Sequence, residues 1–259
     1  MPLILYTSKN IASASIAKKM LEIGAMIEPI DTGSDSVLNV PTEFDTDCII
    51  VLSTHKSKAG NPMLTAHFPG NWDKAEMGGK DRTLNVADGK MLKNIIRELD
   101  IANKKNELDW PLFIEADHHG PTARVPIIFV EIGSTEKEWK NEKAALVVAE
   151  AVSIAIKKLN ERKNETHDSR LETVFGIGGG HYSKEFTKMS LERDDIAVGH
   201  ICPKYAIESL AEDTFRQAVE KNTGSVTRVL VLKESTNSLQ KKKIKILCER
   251  FGIRYEEVQ

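Results

Sequence analysis

Six of the seven histidines, His55, His67, His118, His119, His181 and His200, stand just after an apolar run or in the long segment that follows one; only His167 does not. Imidazole changes charge near neutral pH and is a common ligand of divalent metals. In open α/β sheets ligands collect beyond the carboxyl ends of the strands, so histidines at such ends predict one site assembled from distant sequence. Taken singly, each reads as an ordinary loop or surface residue.

Five clusters carry these residues. In Ser53-Thr-His55-Lys-Ser57 an extended chain turns Ser53, His55 and Ser57 to one side at period two. That sets hydroxyls beside an imidazole, but a serine nucleophile also needs contact with its base and a third group to orient it. Ser57 therefore reads better as a substrate-binding or loop hydroxyl. Glu115-Ala-Asp117-His118-His119-Gly120-Pro121-Thr122 offers carboxylates and imidazoles that could ligate a divalent cation or exchange protons. Adjacent histidines of an extended chain face opposite ways, so both reach one site only if the backbone turns, as Gly120-Pro121 permits. The spacing matches no HExxH-type zinc motif.

Glu131-Ile-Gly133-Ser134-Thr135 ends a strand and opens a helix, whose exposed N–H groups favour an anion. A plain cap explains Ser134 and Thr135 equally well. Gly176-Ile-Gly178-Gly179-Gly180-His181-Tyr182 lets backbone approach a ligand closely, yet it is no dinucleotide fingerprint, because His181 stands where GxGxxG needs glycine. Gly199-His200-Ile-Cys-Pro203-Lys204-Tyr205 adds a strand-end histidine, and a lysine whose place at a helix start points to an anion.

The elements that must position these clusters alternate in type. Apolar, often β-branched runs at Leu3 to Tyr6, Met26 to Ile30, Cys48 to Ser53, Leu112 to Glu115, Ile127 to Glu131, Thr173 to Phe175, Ile196 to His200 and Val226 to Leu232 predict strands. Between them, helical periodicity covers Ile11 to Ile23, ended by Gly24, and Met91 to Leu99. Glu138 to Leu159 follows a Thr135/Glu138 capping-box pattern and carries Ala144, Val148, Ala151, Ala155 and Leu159 in one stripe. Ile207 to Val219, and Leu239 to Phe251 with a closing Gly252, complete the set. The alternation predicts an α/β fold with a mostly parallel sheet, in a single domain spanning 1–259. Thr54 to Gly89 is rich in glycine and proline with little periodicity, and it predicts a long functional loop. Glu161 to Ser169 is a polar run that reads as a loop.

A chain of 259 residues, 41% hydrophobic and 29% charged, excludes disorder. A net charge of −2 advertises no global polyanion surface and leaves only local basic patches. Lys56, Lys58, Lys74, Lys80, Arg82, Lys184, Lys188 and Lys204 are the candidates for one. Cys48, Cys202 and Cys248 are far apart, which suggests neither a disulfide framework nor a thiolate zinc site. The start of the chain has no signal-peptide pattern and no stretch approaches membrane-spanning length, so the reading is a cytoplasmic protein.

In order, the blocks S-x-H-x-S (Ser53, His55, Ser57), G-x-P (Gly60, Pro62), L-T-x-H (Leu64, Thr65, His67), P-G-N-W (Pro69 to Trp72), H-H-G-P-T (His118 to Thr122), E-I-G-S-T (Glu131 to Thr135) with Trp139, G-G-G-H-Y (Gly178 to Tyr182) and G-H-I (Gly199 to Ile201) closely resemble the archaeal and plant D-aminoacyl-tRNA deacylases. Two departures are Asp117, where threonine usually precedes the histidine pair, and Asn10-Ile11, where Asp-Pro is common. The resemblance implies hydrolysis of the ester between a D-amino acid and the 3′ end of tRNA, with zinc as cofactor. It also implies a three-layer α/β/α fold similar to peptidyl-tRNA hydrolases and phosphorylases. On this basis the metal is expected on some of His118, His119, Glu131, His181 and His200, with His55 or Glu115 carrying protons and backbone N–H groups around Gly179 holding the oxyanion. His118 and His181 then count among the catalytic residues. Ser53, Ser57, His67, Asn71, Trp72, Ser134, Thr135, Tyr182 and Lys204 are expected to bind substrate. Assistance by the terminal tRNA hydroxyl stays open as a mechanism, and a metal-dependent small-molecule esterase or amidase is the alternative function. D-aminoacyl-tRNA is the expected partner of a monomeric protein.

Overall fold

The computed structural model describes residues 1–162 and 171–259. The predicted polar loop, from residue 163 on, and His167 lie outside the described residues. In chain order the elements are β1 (Leu3–Tyr6), α1 (Ile11–Glu22), β2 (Ile30–Asp31), β3 (Ile49–Lys56), β4 (Met63–His67), β5 (Gly70–Asn71), β6 (Thr83–Leu84), α2 (Gly89–Lys105), β7 (Leu112–Ile114), β8 (Ile127–Ser134), α3 (Glu136–Trp139), α4 (Glu142–Arg162), β9 (Glu172–Ile177), α5 (Lys184–Glu192), β10 (Ile196–Cys202), α6 (Glu212–Glu220), β11 (Val226–Leu232), α7 (Ser238–Phe251) and β12 (Arg254–Val258).

The α/β class and the predominance of parallel pairing follow the alternation in the sequence. The strands divide between a six-stranded sheet, β2-β1-β3-β8-β4-β7, and a four-stranded sheet, β10-β9-β11-β12, with β5 and β6 as a small separate pair. All pairs in the four-stranded sheet are parallel. In the larger sheet only β4 against β8 is antiparallel.

Both central strands of the larger sheet are buried on both faces, as continuous apolar runs require. Ile50, Leu52, Ile128 and Val130 join a core that also holds the apolar sides of α1, α2 and α4. The alternate residues Ile49, Val51, Ile127 and Phe129 pack on Val37, Val40 and partly buried Phe44 and Val125. That second face is covered by irregular chain, and it is the face on which the histidines gather. The smaller sheet has helices on both sides. Val174, Val198 and Leu230 enter the core shared with α2, while Phe175, Val229 and Val231 pack with Phe215 of α6 and Ile244 of α7.

Several boundaries differ from expectation. The predicted Met26–Ile30 strand shrinks to Ile30–Asp31, both exposed at a sheet edge. The segment from Thr54 to Gly89 is no structureless loop; it contains β4, whose five residues are all buried within the sheet. The predicted helix from Glu138 starts at Glu136, stops at Trp139 and resumes at Glu142. Asn141 restarts it, its side chain accepting the Ala144 N–H at 3.0 Å. The predicted helix from Ile207 begins only at Glu212. Asn10 caps α1 by accepting the Ser13 N–H at 3.0 Å, and Gly252 ends α7 at φ 64°.

Because α2 contributes to the core that both sheets share, Ile96→Ala is expected to lower stability by about 2–5 kcal/mol. Urea unfolding followed by far-ultraviolet dichroism and by tryptophan fluorescence should show this loss in one coincident transition.

Candidate active site

The site begins with strand register. Ser53 of β3 lies opposite Glu131 of β8, and Glu131 opposite Thr65 of β4. Three neighbouring strands therefore present these side chains in one row, and Ser53 Oγ donates to Glu131 Oε1 at 2.7 Å while Thr65 Oγ1 donates to Oε2 at 3.4 Å. Two residues on, His55 and His67 extend the row on the same face, because side chains alternate along a strand. His67 stacks on Phe129 with ring centroids 5.5 Å apart. Glu115 follows β7, which pairs parallel with β4, so it comes to rest beside His67. The 181–183 segment pairs against the same stretch, with Ala116 N–H on the His181 carbonyl at 2.9 Å and Ser183 N–H on Ile114 at 2.9 Å.

Glu115 is the centre of the arrangement. Its side chain is fully buried, yet His55 Nδ1 and His181 Nε2 each lie 3.1 Å from its oxygens, His118 Nε2 lies at 3.4 Å and His67 Nδ1 at 3.9 Å. Burial works to raise its pKa, but the flanking imidazoles of His181 and His55 prevail and hold it well below the usual carboxylate range.

The histidines divide into two states. Burial pulls His55 down, but Glu115 and Glu131 outweigh burial and push it up to about 11. Burial pushes His118 and His119 down to about 4 and His67 well below its ordinary value. Hydrogen-bond partners then assign the neutral tautomers. His118 Nδ1 donates to the Ala116 carbonyl at 2.8 Å, which leaves Nε2 as a lone pair. His119 Nδ1 donates to the Gly120 carbonyl, so its Nε2 accepts from His67 Nε2 at 3.1 Å. His67 Nδ1 is thereby a lone pair as well, and it has no hydrogen-bond partner. Two imidazole lone pairs and an anionic carboxylate thus converge on one small volume, a donor set that a divalent cation satisfies. Donor atoms within 4.8 Å of one another group as His67, His118 and His119, as His55, Glu115 and His181, and as His67, Glu115 and Glu131.

The two adjacent histidines share the site because the chain turns at His119 itself, at φ 50°. A side chain at Gly120 is impossible there, since its Cβ would lie 2.3 Å from the Gly79 nitrogen.

Other expected residues fall in different places. His200 stands apart from these groups: it is fully buried, its Nδ1 meets Asp117 Oδ2 and its Nε2 lies 3.0 Å from the Lys221 carbonyl. Asp117 also accepts the Ile201 N–H at 2.9 Å, so this pair ties the histidine turn to β10. Tyr182 Oη sits 2.7 Å from His55 Nε2, and Trp139 Nε1 donates to the His55 carbonyl at 3.0 Å. Asn71 is held in its turn by the carbonyls of Gly78 and Lys80, and Trp72 stacks on Phe175 at 8° between ring planes. Ser57 Oγ accepts the Ala59 N–H within the loop after β3, and Ser134 Oγ, at the end of β8, donates to the Asn61 carbonyl of that loop. The Thr135 N–H is taken by Glu138 at 3.1 Å, so the helix start acts as a cap. Lys204 is exposed and makes no ion pair among the described residues.

Gly178 and Gly179, expected to hold an oxyanion, already spend their N–H groups on the Cys202 carbonyl at 2.9 Å and Ser235 Oγ at 2.8 Å. Gly180 makes no such bond among the described residues, and a Cβ on it would meet nothing within 4 Å. Of the three glycines expected to offer N–H groups, Gly180 is thus the one whose N–H is not taken up among the described residues.

Sequence reasoning gave His67 a substrate role and Thr65 none, whereas the structure sets His67 beside Glu115 and His119 and Thr65 beside Glu131. Both His67 and Thr65 lie on β4, whose alternation is hidden by a surrounding run of Gly, Pro and Asn.

A family profile described as D-aminoacyl-tRNA deacylase matches residues 42–256. A D-aminoacyl-tRNA deacylase of Thermococcus onnurineus is 35% identical over 210 residues, covering 81% of this chain and 73% of that protein. One of Saccharolobus islandicus is 33% identical over 235 residues, covering 89% and 93%. A crystal structure described as a conserved protein of unknown function superposes with a TM-score of 0.86 at 26% identity, covering 99% of this chain and 95% of the other.

The neutral, buried His118 and His119 stay unprotonated in the fold down to about pH 4, whereas unfolded histidine takes up protons below about 6.5. Their contribution is present above 6.5 and lost as pH falls towards 4. His55, raised to about 11, works the other way: its contribution is present below 6.5 and lost as pH rises through 11. Urea midpoints of chelator-treated protein should therefore peak near neutral pH and fall on both sides, and His119→Gln should flatten the acid limb.

Proposed function

The chain belongs to the D-aminoacyl-tRNA deacylase family and hydrolyses the ester joining a D-amino acid to tRNA, and we propose that it does so with zinc held at the Glu115 cluster. The observation that carries this is the buried Glu115 carboxylate facing the lone pairs of His67 and His118. Those three residues would hold the ion, with His181 and Glu131 beside them and His119 fixing the tautomer of His67. Bound there, zinc supplies Lewis-acid polarisation and a lowered pKa for water.

The chain's own groups do the rest. His55, protonated at neutral pH between Glu115 and Glu131, holds a proton at Nδ1 against Glu115 and presents Nε2 to Tyr182 Oη. This makes His55 the proton-holding partner and Tyr182 the outward-facing hydroxyl. We assign a developing oxyanion to the Gly180 N–H, which neighbours His181 and makes no hydrogen bond among the described residues. Exposed Lys56 and Lys58 follow His55 directly, and exposed Lys74 and Lys204 flank the histidine turn, giving a local track for phosphates on a chain of net charge −2. No helix among the described residues is long and apolar enough to cross a membrane. We read the protein as a cytoplasmic monomer that returns mischarged tRNA to use. Neither the site nor the relatives favour a small-molecule esterase.

The deciding experiment compares initial rates on D-tyrosyl-tRNA and L-tyrosyl-tRNA. D-selective hydrolysis should be lost with chelator and restored by zinc, and Glu115→Gln should lower both zinc content and kcat/KM at least about a hundredfold. D-selective hydrolysis that survives chelation and the Glu115 change would shift the mechanism to the tRNA hydroxyl. If four lysines contact phosphates, the apparent affinity for tRNA should fall with salt at a log–log slope of about −3.

A further inference from the structure

Beside the cluster lies a cavity of about 370 Å³ that takes His118 and His119 as one wall. Its other sides come from the 70–77 turn and the 205–209 segment, including Trp72, Lys74, Met77 and Tyr205. Ser209 Oγ donates to Asp73 Oδ2 at 2.9 Å, so the two segments are tied to each other at the cavity. Trp72 is only 4% exposed, whereas Tyr205 is 62% and Met77 57% exposed. Large exposed apolar side chains at the mouth of a walled cavity mark a binding surface. Tyr205 is set in place by its neighbour, whose N–H donates to the Gly179 carbonyl at 3.0 Å.

Resting on the deacylase reading, we propose that this cavity holds the 3′-terminal adenosine of the substrate, with Tyr205 stacking on the adenine. The ester hangs from the ribose of that nucleoside, so when the carbonyl lies at Glu115 and its histidines the nucleoside must fill the space adjoining His118 and His119. The volume is that of a small-ligand pocket and takes a nucleoside, not a duplex. An open aromatic rim suits a base whose neighbouring nucleotides must leave towards solvent, because stacking on one ring face is sequence-tolerant and needs no enclosing wall. Tyr205 is a substrate-positioning residue in this assignment and takes no part in bond making.

The test measures D-tyrosyl-tRNA and D-alanyl-tRNA hydrolysis by the wild type, Tyr205→Ala and Tyr205→Phe, with titration of each protein by adenosine 5′-monophosphate. Expected is a KM raised about tenfold to a hundredfold in Tyr205→Ala for both substrates, with kcat within about twofold and recovery in Tyr205→Phe. The nucleotide should bind the wild type and Tyr205→Phe but not Tyr205→Ala. An unchanged KM, or a loss confined to the tyrosyl substrate, overturns the assignment, the latter by giving the ring to the amino-acid moiety. Should the wild type fail to deacylate either substrate, the deacylase reading fails, and the nucleotide titration decides only whether the cavity takes an adenine nucleotide on Tyr205: equal binding by Tyr205→Ala overturns that, and binding lost in it upholds it.

Discussion

A fully buried carboxylate has to be compensated, and the structure around Glu115 is organised by that demand. Moving an ionised carboxyl out of water is affordable only with paired charge and directed donors. Here His55 and His181 lie at 3.1 Å, but the neutral His118 and His67 face it with lone pairs. Two of the four surrounding imidazoles therefore add electron density to a place already anionic. A fold selected for stability alone would surround Glu115 with donors or replace it with an apolar side chain; retaining it beside two lone pairs makes sense where a cation completes the set. The protein also invests in keeping the arrangement, since His119 and the Ala116 and Gly120 carbonyls each fix one tautomer.

The two sheets supply different parts of this centre. The larger one contributes the row of Ser53, Thr65 and Glu131 across three strands, a placement fixed by hydrogen-bond register and therefore accurate to a fraction of a residue. The smaller one contributes the glycine turn with His181, and through His200 and Asp117 it fastens the histidine turn to β10. A site made of both sheets can hold its geometry only if the sheets do not move apart. The shared core on α2 meets that need, and so does the buried Asp117–His200 contact. The irregular chain over the other face of the larger sheet leaves that face reachable at its carboxyl end, where helices would otherwise have covered the row.

What could be read from the sequence follows from how local each signal is. Val226–Leu232 and the closing Gly252 depend on short-range pattern, and they appear where expected. The convergence of His55, His67, His118, His119 and His181 was expected at one rim of strand ends; the structure delivers it differently, because β4 and β7 run against β3 and β8, and His67 and Glu115 meet His55 over the face of the sheet. The position of His200 was not, since a histidine used for ion pairing and one used for ligation look alike at a strand end; only its contacts with Asp117 and Lys221 separate them. The strand β4 was hidden for another reason. It is an antiparallel insertion between parallel strands, buried on all five residues and flanked by turn formers, so neither alternation nor a crossover helix announces it. The substitution of Asp117 for the usual threonine, a departure when viewed along the chain, acquires a reason from the same geometry: its two oxygens serve His200 and the Ile201 N–H.

Net charge posed the remaining difficulty, because a chain of −2 must receive a polyanion at a centre that itself contains Glu115, Glu131 and Asp117. The structure separates the two signs by depth. The carboxylates are buried, and Glu115 and Glu131 lie against the raised His55, which compensates part of their charge in place. Lys74 stands exposed in the lining of the cavity beside His118 and His119, and Lys56, Lys58 and Lys204 are exposed on the segments that follow His55 and β10. Binding the nucleic acid and activating the ester thus make opposite electrostatic demands, and depth separates them: Glu115 and Glu131 are buried beside His55, and the lysines are exposed.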